Sequence, residues 1–188
     1  IYLCFSSTAL QSFDFKGFNT KLKGKPTIVM LQASTEDYPV LTKVFDEEQI
    51  VCGMITLISY ATPLATEKVD VPGTAYWFPP LMPMPVSGNI KRRDEVIQTY
   101  KSGKIKATSS KSVQNDALFP SAFLPAFLTA LEARNWKLNQ LKKESALLKQ
   151  LNGVIDEIFT ALEKEFNVKR PFAFGIISSP VVLKIMLS

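Results

Sequence analysis

Histidine is absent from the 188 residues of this chain. That removes the side chain most often used as a general base near neutral pH, and the commonest transition-metal ligand. Only two cysteines occur, Cys4 and Cys52. They are too few for a disulfide framework, and without histidine they cannot complete a structural zinc site. The chain has no Asn-x-Ser/Thr acceptor for N-glycosylation, so nothing in it calls for a secretory route. A Walker phosphate loop, a Gly-x-Gly-x-x-Gly turn, an EF-hand loop, repeats and low-complexity tracts are also missing. No metal, no cofactor and no catalytic residue is therefore expected, and the chain does not read as an enzyme. An organellar or cytoplasmic setting is expected over a secreted one.

What is present is globular in composition. Apolar residues make up 46% and charged residues 21%, with a mean hydropathy of +0.09, which argues against disorder. The length suits one domain, or one domain with a helical appendage.

Charge is unevenly placed. Lys plus Arg number 22 against 17 for Asp plus Glu, a net +5. Lys91, Arg92, Arg93, Lys101, Lys104, Lys106 and Lys111 face only Asp94 and Glu95 within residues 91–111, so this stretch carries the whole surplus. The candidate basic patch is Lys91, Arg92, Arg93, Lys101, Lys104 and Lys106. It fits an acidic protein face or an acidic membrane surface. Nucleic acid is disfavoured, because base-stacking surfaces interleave aromatics with the cations and only Tyr100 lies inside the run.

Periodicity predicts a mixed α/β fold: a βαβ-type unit, an irregular proline-rich middle, a long helical segment and an apolar tail. Phe13, Phe15 and Phe18 suggest a short strand or turn. Thr27–Leu31 is a continuous apolar, β-branched run and reads as a buried strand. Ser34 is a cap for the next helix, with Leu41, Val44 and Phe45 as its stripe and an end near Glu48. Ile50–Tyr60 reads as a second buried strand, parallel to the first through a right-handed crossover. Asn89–Lys101 is a helix stopped at Gly103, and Ile105–Thr108 a short strand.

The run Gly24-Lys25-Pro26 followed by an apolar strand and an early-proline helix resembles the opening of a thioredoxin-like domain over residues 22–60. Ser34, Thr35, Glu36 and Asp37 stand where a Cys-x-x-Cys pair would lie, so thiol redox chemistry is not implied. Cys52, in mid-strand, is expected to be structural. The carboxylates Glu36, Asp37, Asp46, Glu47 and Glu48 are read as helix-dipole and surface groups.

Tyr76-Trp77-Phe78-Pro79-Pro80-Leu81-Met82-Pro83-Met84-Pro85 is uncharged and rich in aromatics and proline. Prolines exclude a helix or a central strand. Beyond it, Pro120 and Pro125 are expected near a helix start, capped by Asp116 or Ser121. Leu141, Leu148, Ile155 and Leu162 repeat every seven residues. Leu138, Ser145, Asn152, Phe159 and Phe166 form the adjacent seam. One long helix with a weak point at Asn152-Gly153 is expected. The tail, residues 171–188, has Lys184 after Arg170 as its only charge, and is expected to be buried as a strand or docked in a partner. Residues 1–115 form the α/β portion and 116–188 the helical portion, packed as one domain.

These apolar segments exceed what one small core needs. The expectation is a non-catalytic structural or linker subunit that binds other proteins. Its candidate contacts are Tyr76, Trp77, Phe78, Leu81, Met82, Phe172 and Phe174. The alternatives are a peripheral membrane protein using the apolar ends and the basic patch, then a nucleic-acid-associated protein.

Overall fold

A computed structural model describes residues 7–31, 34–64, 67–69, 71–79 and 82–177. The chain divides into two compact units, Ile1–Gln114 and Asn115–Ser188. The α/β content expected from the sequence is present.

The first unit is built on a four-stranded sheet. Its strands are β1 (Ile28–Met30), β2 (Ile50–Gly53), β5 (Met84–Gly88) and β6 (Ala107–Ser109), in the order β1-β2-β5-β6. The β1–β2 and β5–β6 pairs are parallel, and β2–β5 is antiparallel. The sheet is thus two parallel strand pairs joined back to back. The first crossover holds α3 (Tyr38–Thr42), and the second holds α4 (Ile90–Ser102).

Register decides what each face buries. Met30, Cys52 and Ser87 stand side by side. With Ile50 on the same face of β2, they pack against Leu10 of α1 (Ser7–Ser12), Phe15 of α2 (Phe15–Asn19), Leu41 and Phe45. The opposite face carries Val51, Val86, Met84 and Ala107, covered by Ile97 of α4. Burying each such side chain contributes about 1.5–3 kcal/mol. Ser87 is the buried polar member of the first face, and its hydroxyl accepts the Val113 amide at 3.1 Å.

Several expectations are corrected. Phe13–Phe18 forms no strand; it spans the end of α1's loop and α2, whose Asp14 carboxylate accepts the Gly17 amide. The stripe Leu41–Phe45 exceeds its helix, which stops at Thr42, and a separate 3-10 turn covers Glu47–Gln49. Ser34 accepts the Glu36 amide at 3.1 Å but lies ahead of the helix, whose cap position is Asp37. The strand over Ile50–Tyr60 is two strands. It breaks after Gly53, and Ile58–Thr62 (β3) leaves the main sheet to pair with Gly73–Trp77 (β4).

Proline does not keep residues 76–85 out of regular structure. Tyr76 and Trp77 belong to β4, and Pro85 lies inside β5, a central strand. On β5, Met84 donates to Lys106 O and Val86 O accepts from Ser110, both toward β6. Pro85 alternates to the other side, toward β2, and its carbonyl accepts the Met54 amide. The β2–β5 register closes at Gly53 opposite Val86, one step short of Pro85. The donor that proline lacks is therefore not called on by the ladder.

The second unit is helical: α5 (Val113–Glu132, its first two residues in the first unit), α6 (Leu138–Lys143), α7 (Ser145–Glu165) and α8 (Phe172–Ile177). Phe119 near the start of α5 packs on Phe159 near the end of α7, with ring centroids 5.1 Å apart. At the other end, Arg134 after α5 is paired with Glu144 before α7. The two long helices therefore run antiparallel around Leu131, Leu141, Leu148, Leu151 and Ile155.

Pro120 and Pro125 lie inside α5 rather than at its start. Neither Asp116 nor Ser121 caps it, because it begins at Val113. Each proline forfeits one helical hydrogen bond, which the apolar α5 offsets by burying Phe119, Ala130 and Leu131. Helix α7 runs unbroken through Asn152-Gly153, as expected. Of the two heptad seams, Leu141–Leu148–Ile155 is buried, whereas Leu138, Ser145 and Phe166 are exposed. The chain leaves the helix at Glu144, so a seven-residue repeat carried across that break no longer marks one face. The tail begins as helix α8, not as a strand, and residues 178–188 lie outside the described ones.

Candidate protein-binding surfaces

Strands β3 and β4 form an antiparallel hairpin apart from the main sheet. Its pairs are Ile58 with Trp77, Ser59 with Tyr76, Tyr60 with Ala75, Ala61 with Thr74 and Thr62 with Gly73. Directly opposed residues share a face, and faces alternate along the strand. One face therefore carries Ile58, Trp77, Tyr60 and Ala75. The other carries Ser59, Ala61, Thr74 and Tyr76. The first face is the more apolar, although the second carries Tyr76, 67% exposed. Yet Ile58 is 56% exposed and Trp77 51%, and neither core cluster of the unit includes a residue from 58–77.

Local sequence explains the arm. Ile58, Tyr60, Thr62, Thr74, Tyr76 and Trp77 are β-branched or aromatic. Glu67 then ties the turn. Its carboxylate accepts the Tyr60 hydroxyl at 2.8 Å, the Thr62 hydroxyl at 2.7 Å and the Leu64 amide at 2.8 Å. These bonds, led by the Leu64 amide, hold the Glu67 carboxyl below the ordinary carboxylate range. Tyr76 meets Phe78 edge-on at 5.6 Å. Met82 is exposed, and its carbonyl accepts the Thr56 hydroxyl at 3.1 Å. Leu81 lies outside the described residues.

The sequence reading assigned Ile58 and Tyr60 to a buried strand and so missed them as surface residues. The signal was the Ile58-x-Tyr60-x-Thr62 alternation after Gly53, which differs from the continuous apolar run Ile50–Cys52.

The basic patch separates into two groups. Arg92 reaches from α4 to Thr27 Oγ1 at 2.8 Å and Lys25 O at 2.9 Å. Arg93 pairs with Asp94 at 2.8 Å. Arg92 therefore ties α4 to the segment before β1, and Arg93 is paired with its own neighbour. Lys91 is exposed at the same end of α4. Lys101, Lys104 and Lys106 gather at the other end, around an open depression of about 330 Å³ that Ile105 and Ala107 complete. All three are exposed, and among the described residues none makes an ion pair.

The backbone at Lys104 is unusual. The Ile105 amide donates to Tyr100 O and the Lys104 amide to Lys101 O, the crossed bonds of a Schellman helix end. The left-handed position of that motif favours glycine, yet Lys104 occupies it with φ 62°, while Gly103 has φ −82°.

In the second unit, Phe174 is half-buried and packs on Phe119 and Phe159, at 6.2 and 5.8 Å. It belongs to its own unit's core. Phe172 is 84% exposed.

Chemistry-bearing groups elsewhere have structural partners. The Cys52 thiol is buried, accepts a hydrogen bond from Gln114 at 3.2 Å, and burial pushes its pKa up to about 11. It stays protonated at neutral pH and is a poor nucleophile. Asp37 is buried and accepts from Gln11 at 2.7 Å. Asp46 pairs with Lys25 at 2.6 Å. Among the described residues no cluster of cysteines and carboxylates could hold a metal ion, and no helix is long and apolar enough to cross a membrane. Comparison of the chain with protein-family models, curated proteins and solved structures finds no match.

Proposed function

We propose that this chain is a non-catalytic, protein-binding subunit of a larger assembly, and that the β3–β4 arm is its docking element. The observation that carries this reading is the hairpin register, which gathers Ile58, Tyr60 and Trp77 on one uncovered face. A two-stranded hairpin is at best marginally stable alone, so a partner that covers the face also orders the arm. Trp77 is a rigid aromatic anchor, and burying it in a partner pocket is worth about 2–4 kcal/mol. Side chains on that face are uncharged, so docking desolvates no ionic group there.

Attachment to a membrane surface is the second reading. It is favoured by one observation: the root of the arm and the lysines at 101, 104 and 106 share one end of the sheet. β2 ends, and β5 and β6 begin, at that end.

Site-specific photocrosslinking separates the two. A photoreactive phenylalanine analogue at position 58, 60 or 77 should capture one protein partner in the source cells, and the same group at position 149, where Lys149 is an exposed residue of α7, should not. Capture of lipid alone at positions 58 and 77 would favour the membrane surface, and no capture would sink both readings.

A further inference from the structure

The corner between α5 and α6 carries a surface of another kind. Residues 135–140 are exposed without a break. Trp136 is 59% exposed and Leu138 46%. No acidic residue lies between Glu132 and Glu144, whereas Arg134, Lys137, Lys142 and Lys143 do. Arg134 is paired with Glu144. Lys137 and Lys143 are exposed, and among the described residues neither makes an ion pair.

The corner is held in shape. The Trp136 amide donates to Leu131 O at 3.0 Å, and the Lys137 amide to Arg134 O at 3.0 Å. The Arg134–Glu144 pair joins the residues that flank α6, and buried Leu141 fixes α6 to the core of its unit. A fixed backbone presents Trp136 and Leu138, so less ordering is required when they dock.

We propose that this corner attaches the helical unit to an anionic lipid surface, with Trp136 and Leu138 entering the interface and Lys137 and Lys143 facing the headgroups. Tryptophan suits that boundary, because its ring is apolar and its indole N–H is polar. Lysine stems lie along apolar surface while their ammonium groups stay with the headgroups, and a negative leaflet attracts each cation near it. A protein would need a pocket shaped to the tryptophan. A fluid surface accepts six consecutive exposed residues without one, and the single sign of charge selects anionic lipid.

Helix compensation does not account for all of the lysines. Lys142 and Lys143 suit the C-terminal end of α6, where the helix carbonyls favour cations. Lys137 stands at the opposite end, in the N-cap position and without a capping bond. Singly exposed apolar side chains are common. Here a tryptophan and a leucine are exposed two residues apart, on a turn of one charge sign.

The site lies in the other unit from the β3–β4 arm and stands whether or not the arm binds protein. The probe is a vesicle of phosphatidylserine and phosphatidylcholine in equal parts, titrated into the full chain. Trp77 and Trp136 are the only tryptophans, so in a Trp77→Phe variant the emission reports on position 136 alone. In buffer that emission should be red and open to acrylamide quenching. Vesicles should move it to the blue, brominated acyl chains should quench it, and added salt should reverse both effects. Vesicles of phosphatidylcholine alone should leave it nearly unchanged. Lys137→Gln and Lys143→Gln should each weaken partitioning about fivefold, read by sedimentation with the vesicles. Emission already blue and closed to acrylamide before lipid is added would overturn the proposal. So would an unchanged spectrum with vesicles, or a shift produced by polyglutamate and not by lipid, which assigns the corner to an acidic protein. Quenching of Trp77 by brominated lipid in a Trp136→Phe variant, with none at Trp136, moves the contact to the arm and overturns it as well.

Discussion

The β2–β5 pairing roots both the arm and the lysine cluster, and a single glycine tests it. Gly88 closes β5 opposite Val51 with φ +137°, a backbone region that residues bearing a Cβ rarely adopt. A Cβ there would stand 2.7 Å from Ile50 O and 3.2 Å from Val51 Cα. Both neighbours are backbone atoms of β2, so no flexible side chain can give way. Gly88→Ala therefore carries two penalties. The dihedral costs about 1–2 kcal/mol, and overpacking against a fixed strand costs about 1–3 kcal/mol more. Gly24 supplies the control, because its φ is +73° and nothing lies within 4 Å of its Cβ position. Gly24→Ala should show the dihedral penalty alone, about 1 kcal/mol. Urea unfolding of the two variants beside the parent reads the difference as a shift in midpoint at constant slope. Gly88→Ala should fall well below Gly24→Ala. Equal midpoints would refute the β2–β5 register and the arrangement built on it.

Other outcomes follow from the same structure. Gly153 sits inside α7 with open space at its Cβ position, so Gly153→Ala should raise the stability of the helical unit by about 1 kcal/mol, read by its thermal midpoint. In a Cys4→Ser background, the Cys52 thiol should resist iodoacetamide at pH 8 and react once urea unfolds the chain, and Cys52→Ser should cost about 1–3 kcal/mol. The Glu67 carboxyl has a depressed folded pKa. Its contribution to holding the turn is therefore present above the ordinary carboxylate range and lost as pH falls through the folded value. NMR titration should place the Glu67 midpoint below the ordinary carboxylate range. Glu67→Gln should raise amide exchange at Leu64 without moving the main unfolding transition.

The sequence discloses those elements whose burial follows chain order. Thr27–Leu31 and Ile50–Cys52 are continuous apolar runs, and both hold strands of the parallel pair. Only β2 is buried throughout. β1 is an edge strand with Val29 exposed, so the expectation of a buried strand there is corrected. Asn89–Lys101 shows its helix through Ile97 and its stop through Gly103. The rest depends on partners distant in sequence. Pro85 looked incompatible with a central strand, because the sequence does not show that the β2 ladder ends one step before it. Pro120 and Pro125 looked like the edge of a helix, because local propensity does not include the burial of Phe119 and Leu131 that sustains α5. The apolar face of the arm exists only in register: Ile58 and Trp77 are far apart in the chain and meet only as a cross-strand pair. The basic patch was legible as a charge surplus. Its division does not show in the sequence: Arg92 bonds to Thr27 and Lys25, far away in the chain, whereas Lys101, Lys104 and Lys106 make no ion pair among the described residues.

The central claim is that the Ile58–Trp77 face is there to be covered by another protein. It is tested most directly by the double variant Ile58→Thr/Trp77→Thr, expressed with an affinity tag in the source cells. Two quantities are read together: the native mass of the purified species and the urea midpoint of the isolated chain. Trp77 and Ile58 form an exposed cross-strand pair outside the core, so the midpoint should move by about 1 kcal/mol or less. The mass should fall from that of the assembly to that of the 21.0 kDa chain alone. A midpoint loss of about 3–5 kcal/mol, the scale of a buried tryptophan, or an assembly that keeps its mass with both residues replaced, would contradict the claim.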